Sequence, residues 1–366
     1  MIVAWSWLAF VAAVTGVAAL RRVRHRVVWK TEEDHLPRVL VLRPCTGSDA
    51  YLAKSLATWP QNEANAAVRF LVPAKTDPVF ECADRAASEL CRNGIDAEVL
   101  ITGMVEGAAN RKVAQLAAAD LEHFDIVCVL DADLDIRAIE LAWLTAPLVG
   151  ATAATWLPAT EHATATLGDR ASTAVLAGSL HAFPLLAGLD PRGLVGKAFG
   201  VRCDALRVVG GFASFATRLG EDVELAHRLI IAGYAVQPAQ GYVASSARGR
   251  SFGATVDRFA RWLTVIRAQR PMLLVSYPIL FFATLPLLVW FAALQSLSGI
   301  VATLGVRALT ALTASRFSGA SASTIGDALL ADVVLFCAWI KALSSRRVAW
   351  RGASFRIDAR GHLVDG

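Results

Sequence analysis

The chain has no CxxC pair and no Cys/His ligand spacing among its six cysteines, Cys45, Cys82, Cys91, Cys128, Cys203 and Cys337, which argues against a zinc site or a disulfide framework. Several lie in apolar runs and read as buried thiols in a reducing compartment. GxSxG, HExxH and GxxxxGK[ST] are all missing, so hydrolase and ATPase chemistry have no support. No internal repeat or low-complexity linker interrupts the middle of the chain. Charge is scarce: 18% of the 366 residues are charged and 55% are hydrophobic, a balance unusual for a wholly soluble protein. The net charge of +5 comes from arginines clustered beside apolar segments. Attraction to anionic lipid headgroups explains that better than nucleic acid, which is not expected as a partner.

What the chain does have begins at the N-terminus, where residues 1–20 carry no charge and Arg21, Arg22, Arg24, His25 and Arg26 follow at once. A cleavable signal peptide would put its charge before an apolar run of roughly 7–15 residues, whereas this charge follows a run near the ~20 needed to cross a bilayer. An uncleaved anchor with its basic flank inside is expected. Residues 272–294 carry no charge and predict a second span. Arg307 interrupts a weaker third, 298–314, and Asp327, Asp332 and Lys341 make 325–343 read as an interfacial or re-entrant helix. The predicted division is an anchor at 1–20, a soluble domain at 21–250, an amphipathic interfacial helix at 251–271, a membrane region at 272–345 and a cytosolic tail at 346–366.

The soluble stretch alternates apolar runs at 38–42, 68–73, 97–102 and 125–130 with helical patterns, notably 77–92 and 110–121. Continuous apolar strands separated by helices predict an α/β fold with a mostly parallel, doubly wound sheet covered on both faces. Ligands of such sheets bind beyond the C-terminal strand ends. Asp77 follows one strand, and Asp131 and Asp133 follow another. Asp77, ahead of Pro78, is equally an ordinary turn or cap residue. An Asp-x-Asp after a buried strand can offer oxygen ligands to Mg²⁺ or Mn²⁺. Asp222, in GED, sits where a helix N-terminus favours acidic residues in any case. In RFARW, Arg258 and Arg261 can neutralise phosphate, or the segment is a basic amphipathic helix in which Phe252, Phe259, Trp262, Leu263 and Ile266 form the apolar side. His162 and His227 show no ligand pattern, and His181 reads as structural or acceptor-side.

Taken in order, these motifs resemble the ceramide glucosyltransferase family among the family-2-like enzymes of GT-A fold, over nearly the whole chain. VLRPCTGSDAYLAKSLATW is similar to the family's opening, with Arg43 in place of the usual lysine. Asp77 stands at its first aspartate, NRKVAQL with Lys112 at its N-P-K segment, Asp131 at its second aspartate, and Gly196 in its acceptor-side loop. Asp222 stands at its third aspartate, Arg258, Arg261 and Trp262 at its (Q/R)xxRW signature, and VAWRGASFRI at its C-terminal motif. His181 falls near a histidine the family carries.

The resemblance implies roles. Asp77 would receive the uracil of a UDP-sugar donor and Lys112 would lie near its phosphates. Asp131 and Asp133 would hold Mn²⁺ or Mg²⁺ and the pyrophosphate, and Asp222 would be the general base that activates a lipid hydroxyl, with inversion at the anomeric carbon. Arg258 in place of Gln separates the chain from processive cellulose and hyaluronan synthases and implies transfer of one sugar. The expected acceptor is a membrane lipid, ceramide or a hopanoid-like alcohol. The expected location is a bacterial inner membrane, with the catalytic domain in the cytoplasm. A polysaccharide synthase or carrier-lipid transferase is the alternative, and an inactive scaffold on the same fold a further one.

Overall fold

Long apolar strands of the kind the sequence predicts are buried on both faces when helices flank them, and four of them form the first half of the central sheet. In the computed structural model, residues 1–24, 37–60, 66–103, 110–161, 165–319, 326–345, 347–350, 353–358 and 363–365 are described. His25, Arg26, His162, Ile325, Arg346, Arg351 and Gly352 lie outside them. The elements begin with α1 (Ile2–Arg24), β1 (Val39–Pro44), α2 (Leu52–Leu56), β2 (Ala66–Val72), α3 (Phe80–Arg92), β3 (Ala97–Ile101), α4 (Arg111–Ala117) and β4 (Ile126–Leu130). There follow β5 (Leu134–Asp135), α5 (Ala142–Thr145), β6 (Thr152–Trp156), β7 (Ala159–Glu161), α6 (Leu167–Gly178), α7 (Phe183–Leu189), β8 (Ala198–Arg202), α8 (Cys203–Val208) and α9 (Glu221–Ile231). The last are β9 (Ala235–Pro238), β10 (Val243–Ser245), α10 (Phe252–Gln269), α11 (Thr284–Ala293), α12 (Leu297–Ser318), α13 (Ala328–Ser344) and a small antiparallel sheet of β11 (Arg347–Trp350), β12 (Ala353–Ile357) and β13 (Leu363–Asp365).

The chain folds as two units, one comprising Val27–Ala159 and Pro191–Ala247, the other Met1–Arg26, Thr160–Asp190 and Arg248–Gly366. Residues 160–190, within the expected 21–250 stretch, cluster with the second unit.

The first unit holds a seven-stranded sheet in the order β3-β2-β1-β4-β8-β6-β9. β3, β2, β1 and β4 run parallel, β8 is antiparallel to both β4 and β6, and β6 and β9 are parallel. β1 and β4 are buried at every position, as strands covered on both faces require. The strand order reverses between β1 and β4, so the chain leaves these two strands in opposite lateral directions and opens a crevice at their C-terminal ends.

The second unit is largely helical, with the small β11–β13 sheet at its C-terminal end. Ala4, Leu8 and Val11 of α1 pack with Ala283, Leu287 and Phe291, and Ala18 packs with Leu180, Leu185 and Ala314. Gly188 lets α7 approach α1 closely, since a Cβ there would lie 2.1 Å from the Ala18 carbonyl oxygen. Among the described residues, three helical segments are long and apolar enough to cross a membrane, Ile2–Arg24, Leu167–Leu189 and Leu297–Ser318, and Pro271–Phe281 with Thr284–Ala293 make a fourth candidate bent by 51°. The run at 272–294, read as one span, is thus bent within its length. Pro286 has no N–H for the carbonyl of Phe282, the residue at which the helix bends. Leu167–Leu189 escaped the sequence reading and lies almost wholly inside the unit. The charges that weakened the readings of 298–314 and 325–343 are partners: Arg307 on α12 meets Asp332 on α13 at 2.9 Å, both buried, and donates to the carbonyl of Gly178 at 2.8 Å.

Candidate active site

Three chain segments converge at the C-terminal ends of β1 and β4. The turn Asp131–Leu134 leaves β4, the loop around Gly196 and Lys197 precedes β8, and α9 begins with Glu221 and Asp222. Arg43, on β1, fixes the first of these. Its guanidinium is fully buried and donates to the carbonyls of Ser55 and Leu134 at 2.9 Å each, and more distantly to those of Asp131 and Ala132 at 3.4 Å. Burial lowers its pKa to about 10, with the nearby aspartates opposing that shift. An arginine fork spans carbonyls that a lysine ammonium could not reach together, which gives the departure at Arg43 a structural purpose.

Lys112 sits at the centre. The preceding Asn110 caps α4, its Oδ1 accepting from the Val113 amide at 3.2 Å, and its Nδ2 donates to Glu221 Oε2 at 3.0 Å. Lys112 Nζ lies 2.8 Å from Asp131 Oδ1 and 3.6 Å from Glu221 Oε1, and donates to the Gly196 carbonyl at 2.6 Å. Burial works against its charge, but Asp131 and Glu221 outweigh it and hold the ammonium above the ordinary lysine value. Lys197 supplies a second cation, its Nζ donating to Asp133 Oδ2 and, at 3.1 Å, to Ser245 Oγ. Its carbonyl accepts from the Asp131 amide at 2.9 Å.

Asp222 Oδ2 accepts the Gly196 amide at 2.7 Å and Oδ1 the Val223 amide at 2.9 Å. A Cβ at Gly196 would stand 3.0 Å from Asp222 Oδ2, so glycine lets the loop close on the carboxylate. Burial raises the Asp222 pKa above the usual 3.8, although the Gly196 amide and Lys112 oppose it. Burial also raises Glu221, against the pull of Lys112 and with the push of Asp222.

Asp77 serves the local chain: Oδ1 accepts the amides of Gly47 and Val79 at 3.0 Å each, and Oδ2 the Thr46 hydroxyl at 2.9 Å. That is the turn-residue reading, and it stitches the loop after β1 to the turn after β2. Asp131, Asp133, Lys112, Gly196 and Asp222 are therefore gathered in one place. Lys197 and the buried role of Arg43 were not foreseen. Lys197 had one signal, its position next to Gly196.

The helical unit holds the remaining motif residues. Arg258 is buried on α10 and bonds Glu161 Oε1 at 2.6 Å and Ser172 Oγ at 3.0 Å, with its guanidinium 4.9 Å from the Trp262 ring centroid. Arg250 reaches the other oxygen of Glu161 at 3.1 Å. Nothing in the sequence pattern marked Glu161, an acidic residue at the end of a three-residue strand. Arg261 is half-buried on the same helix. His181 is buried and bonds the Tyr277 hydroxyl through Nε2 at 3.1 Å, stacks on Trp262 at 6.2 Å and meets the edges of Phe259 and Phe281.

A mostly parallel sheet with an acidic, lysine-bearing site beyond its switch point, together with helices apolar enough to span a membrane, defines a GT-A glycosyltransferase fold. The mannosyltransferase PcManGT from Pyrobaculum calidifontis, solved with GDP-Man and Mn²⁺, is similar at TM-score 0.52 and 16% identity, over 93% of this chain and 98% of that one. TarS 1–349 of S. aureus with UDP-GlcNAc gives a TM-score of 0.42 at 13% identity, over 90% and 99% of the two chains. Glucosyl-3-phosphoglycerate synthase from Mycobacterium tuberculosis with Mg²⁺ and UDP gives 0.39 at 20% identity, over 66% and 84%. No curated protein matches the chain. A family model matches residues 4–363, and the protein belongs to glycosyl transferase family 21. Its reaction class is glycosyl transfer.

Proposed function

We propose that this protein transfers one sugar from a UDP-sugar to a hydroxyl of a membrane lipid, a ceramide or a hopanoid-like alcohol, with inversion at the anomeric carbon. The carrying observation is Asp222, a carboxylate held by two backbone amides with its pKa raised by burial, which strengthens it as a general base. Asp222 takes the acceptor hydroxyl proton, the oxygen bonds to the anomeric carbon, and the bond to UDP breaks on the opposite face.

Asp131 and Asp133 are the residues that would hold Mn²⁺ or Mg²⁺, which when bound supplies positive charge to the diphosphate leaving group. The donor set fits: both are hard oxygen ligands, and each already faces an ammonium where a cation would stand. Lys112 adds a fixed positive charge, and Asp77 keeps lone pairs for the uracil edge. In the helical unit Arg258, tied to Glu161, holds the Trp262 ring in place, and Arg261 and Trp262 complete the RFARW signature that the family resemblance assigns to catalysis. The transfer of a single sugar rests on Arg258 opening the RFARW signature. The apolar helices with Arg21, Arg22 and Arg24 at the end of α1 support an inner-membrane protein whose catalytic unit lies in the cytoplasm.

Asp222→Asn keeps the size and loses the base, and turnover is expected to fall roughly 10²–10⁴-fold with donor KM little changed. The anomeric configuration of the wild-type product, read by NMR coupling constants, should be opposite to that of the donor. Retained configuration, or full turnover by Asp222→Asn, would remove Asp222 from this role.

A further inference from the structure

Asp131 and Asp133 carry two negative charges, and Lys112 and Lys197 place two positive charges against them. Lys197 is tied to both aspartates at once: its carbonyl accepts the Asp131 amide at 2.9 Å and its Nζ donates to Asp133 Oδ2. Ser245 Oγ closes a triangle, donating to the same Oδ2 at 2.8 Å and accepting from Lys197 Nζ at 3.1 Å. The side chains of Lys197 and Asp133 are only 16% and 17% exposed, so water screens this pair weakly. Among the described residues, no group of three or more His, Cys, Asp and Glu side chains is placed to hold a metal ion. A free divalent cation would therefore have to displace an ammonium and would then find two protein carboxylates. A small hard cation keeps near-octahedral coordination and is commonly held by one or two carboxylates plus substrate phosphates.

We propose that Lys197 stands in for the divalent cation at Asp133 in the nucleotide-free protein, that the cation enters together with the nucleotide diphosphate, and that the displaced Lys197 ammonium then becomes a diphosphate ligand. This rests on the reading of Asp131 and Asp133 as the cation-holding pair. The phosphates bring the ligands that the cation lacks. They also offer the ammonium a new anionic partner, within reach of a four-carbon stem that pivots from the backbone next to Gly196. The exchange keeps charge balanced at each stage, and no covalent bond changes.

Mn²⁺ binding to the full-length protein in detergent, followed by the loss of the free-ion EPR signal, tests it without turnover. The titration is run with Mn²⁺ alone, with UDP and with GDP, on wild type, Lys197→Met and Lys197→Arg. Lys197→Met is expected to bind Mn²⁺ alone at least roughly tenfold more tightly than wild type, the scale of one charge-assisted hydrogen bond. Lys197→Arg, which keeps the charge, is expected to behave as wild type. With Mn²⁺ present, UDP is expected to bind Lys197→Met several-fold more weakly, because a diphosphate ligand is gone.

Equal affinity of wild type and Lys197→Met for Mn²⁺ alone would overturn the stand-in role while leaving the aspartates as cation ligands. No Mn²⁺ binding by any variant under any condition would remove the aspartate reading and the proposal with it. Should Lys197→Met fail to fold, wild type decides alone: Mn²⁺ bound as tightly without nucleotide as with it contradicts the proposal.

Discussion

Asp222 and Glu221 head α9, where the helix dipole favours negative charge, yet burial raises the pKa of both. Two measurable consequences follow from the sign of these shifts. A base must be unprotonated, so the acid limb of kcat against pH should lie above the 3.8 of an ordinary aspartate, and the residual rate of Asp222→Asn should lack that limb. For stability, the folded protein holds these protons to higher pH than the unfolded chain. Their stabilising contribution is complete below the ordinary values of 3.8 and 4.5 and is lost as pH rises through the raised ones. Wild type should therefore lose thermal stability, relative to a Glu221→Gln/Asp222→Asn variant, as pH increases across that window; parallel melting curves at all pH values would contradict the burial argument. Arg43 gives a third test at this scale. Arg43→Lys leaves buried carbonyls among those of Ser55 and Leu134 without a donor, at about 1–3 kcal/mol for each unsatisfied group. A lower melting temperature and weaker UDP binding are expected, whereas unchanged UDP affinity would separate the Asp131–Leu134 turn from nucleotide binding.

At the scale of elements, the buried pair between α12 and α13 is decisive. Arg307 and Asp332, read singly, each made its own segment look unsuited to a membrane, and a one-dimensional reading has no means of pairing charges 25 positions apart. Together they offset one another, and the Gly178 carbonyl takes a further hydrogen bond. Removing one partner leaves a buried charge, so Arg307→Met should cost about 3–5 kcal/mol, seen as a large drop in melting temperature in detergent. Arg307→Met/Asp332→Leu should recover most of it, because an apolar pair of similar volume has no charge to desolvate. A double variant as unstable as the single one would show that the ion pair itself, not the uncompensated charge, sets the stability. The strands β1 to β4 were legible because continuous apolar runs have few alternatives. The bend at Phe282 was not, although Pro286 was in view, since an apolar run of the right length masks a missing backbone bond.

At the scale of the whole molecule, the order of motifs carried the site further than any motif did. Asp131, Asp133, Lys112, Gly196 and Asp222 are scattered between positions 112 and 222 of the sequence, and the sheet brings them to one edge of the first unit. Lys197 and Glu161 stayed invisible because their roles are to hold other side chains, and a holding contact between distant segments leaves no spacing to read. Asp77 was readable as a turn residue, while its partners Thr46 and Gly47 only the fold could supply. The proposed reaction is transfer of a single sugar from a UDP-sugar to a lipid hydroxyl. Its most direct test incubates the purified protein in detergent with Mn²⁺ or Mg²⁺, a panel of UDP-sugars and a panel of lipids that includes ceramide and hopanoid alcohols, with product masses read by mass spectrometry. The expected result is a lipid carrying one sugar, formed by wild type and lost in Asp222→Asn; lipids carrying several sugars, or free polymer, would contradict it.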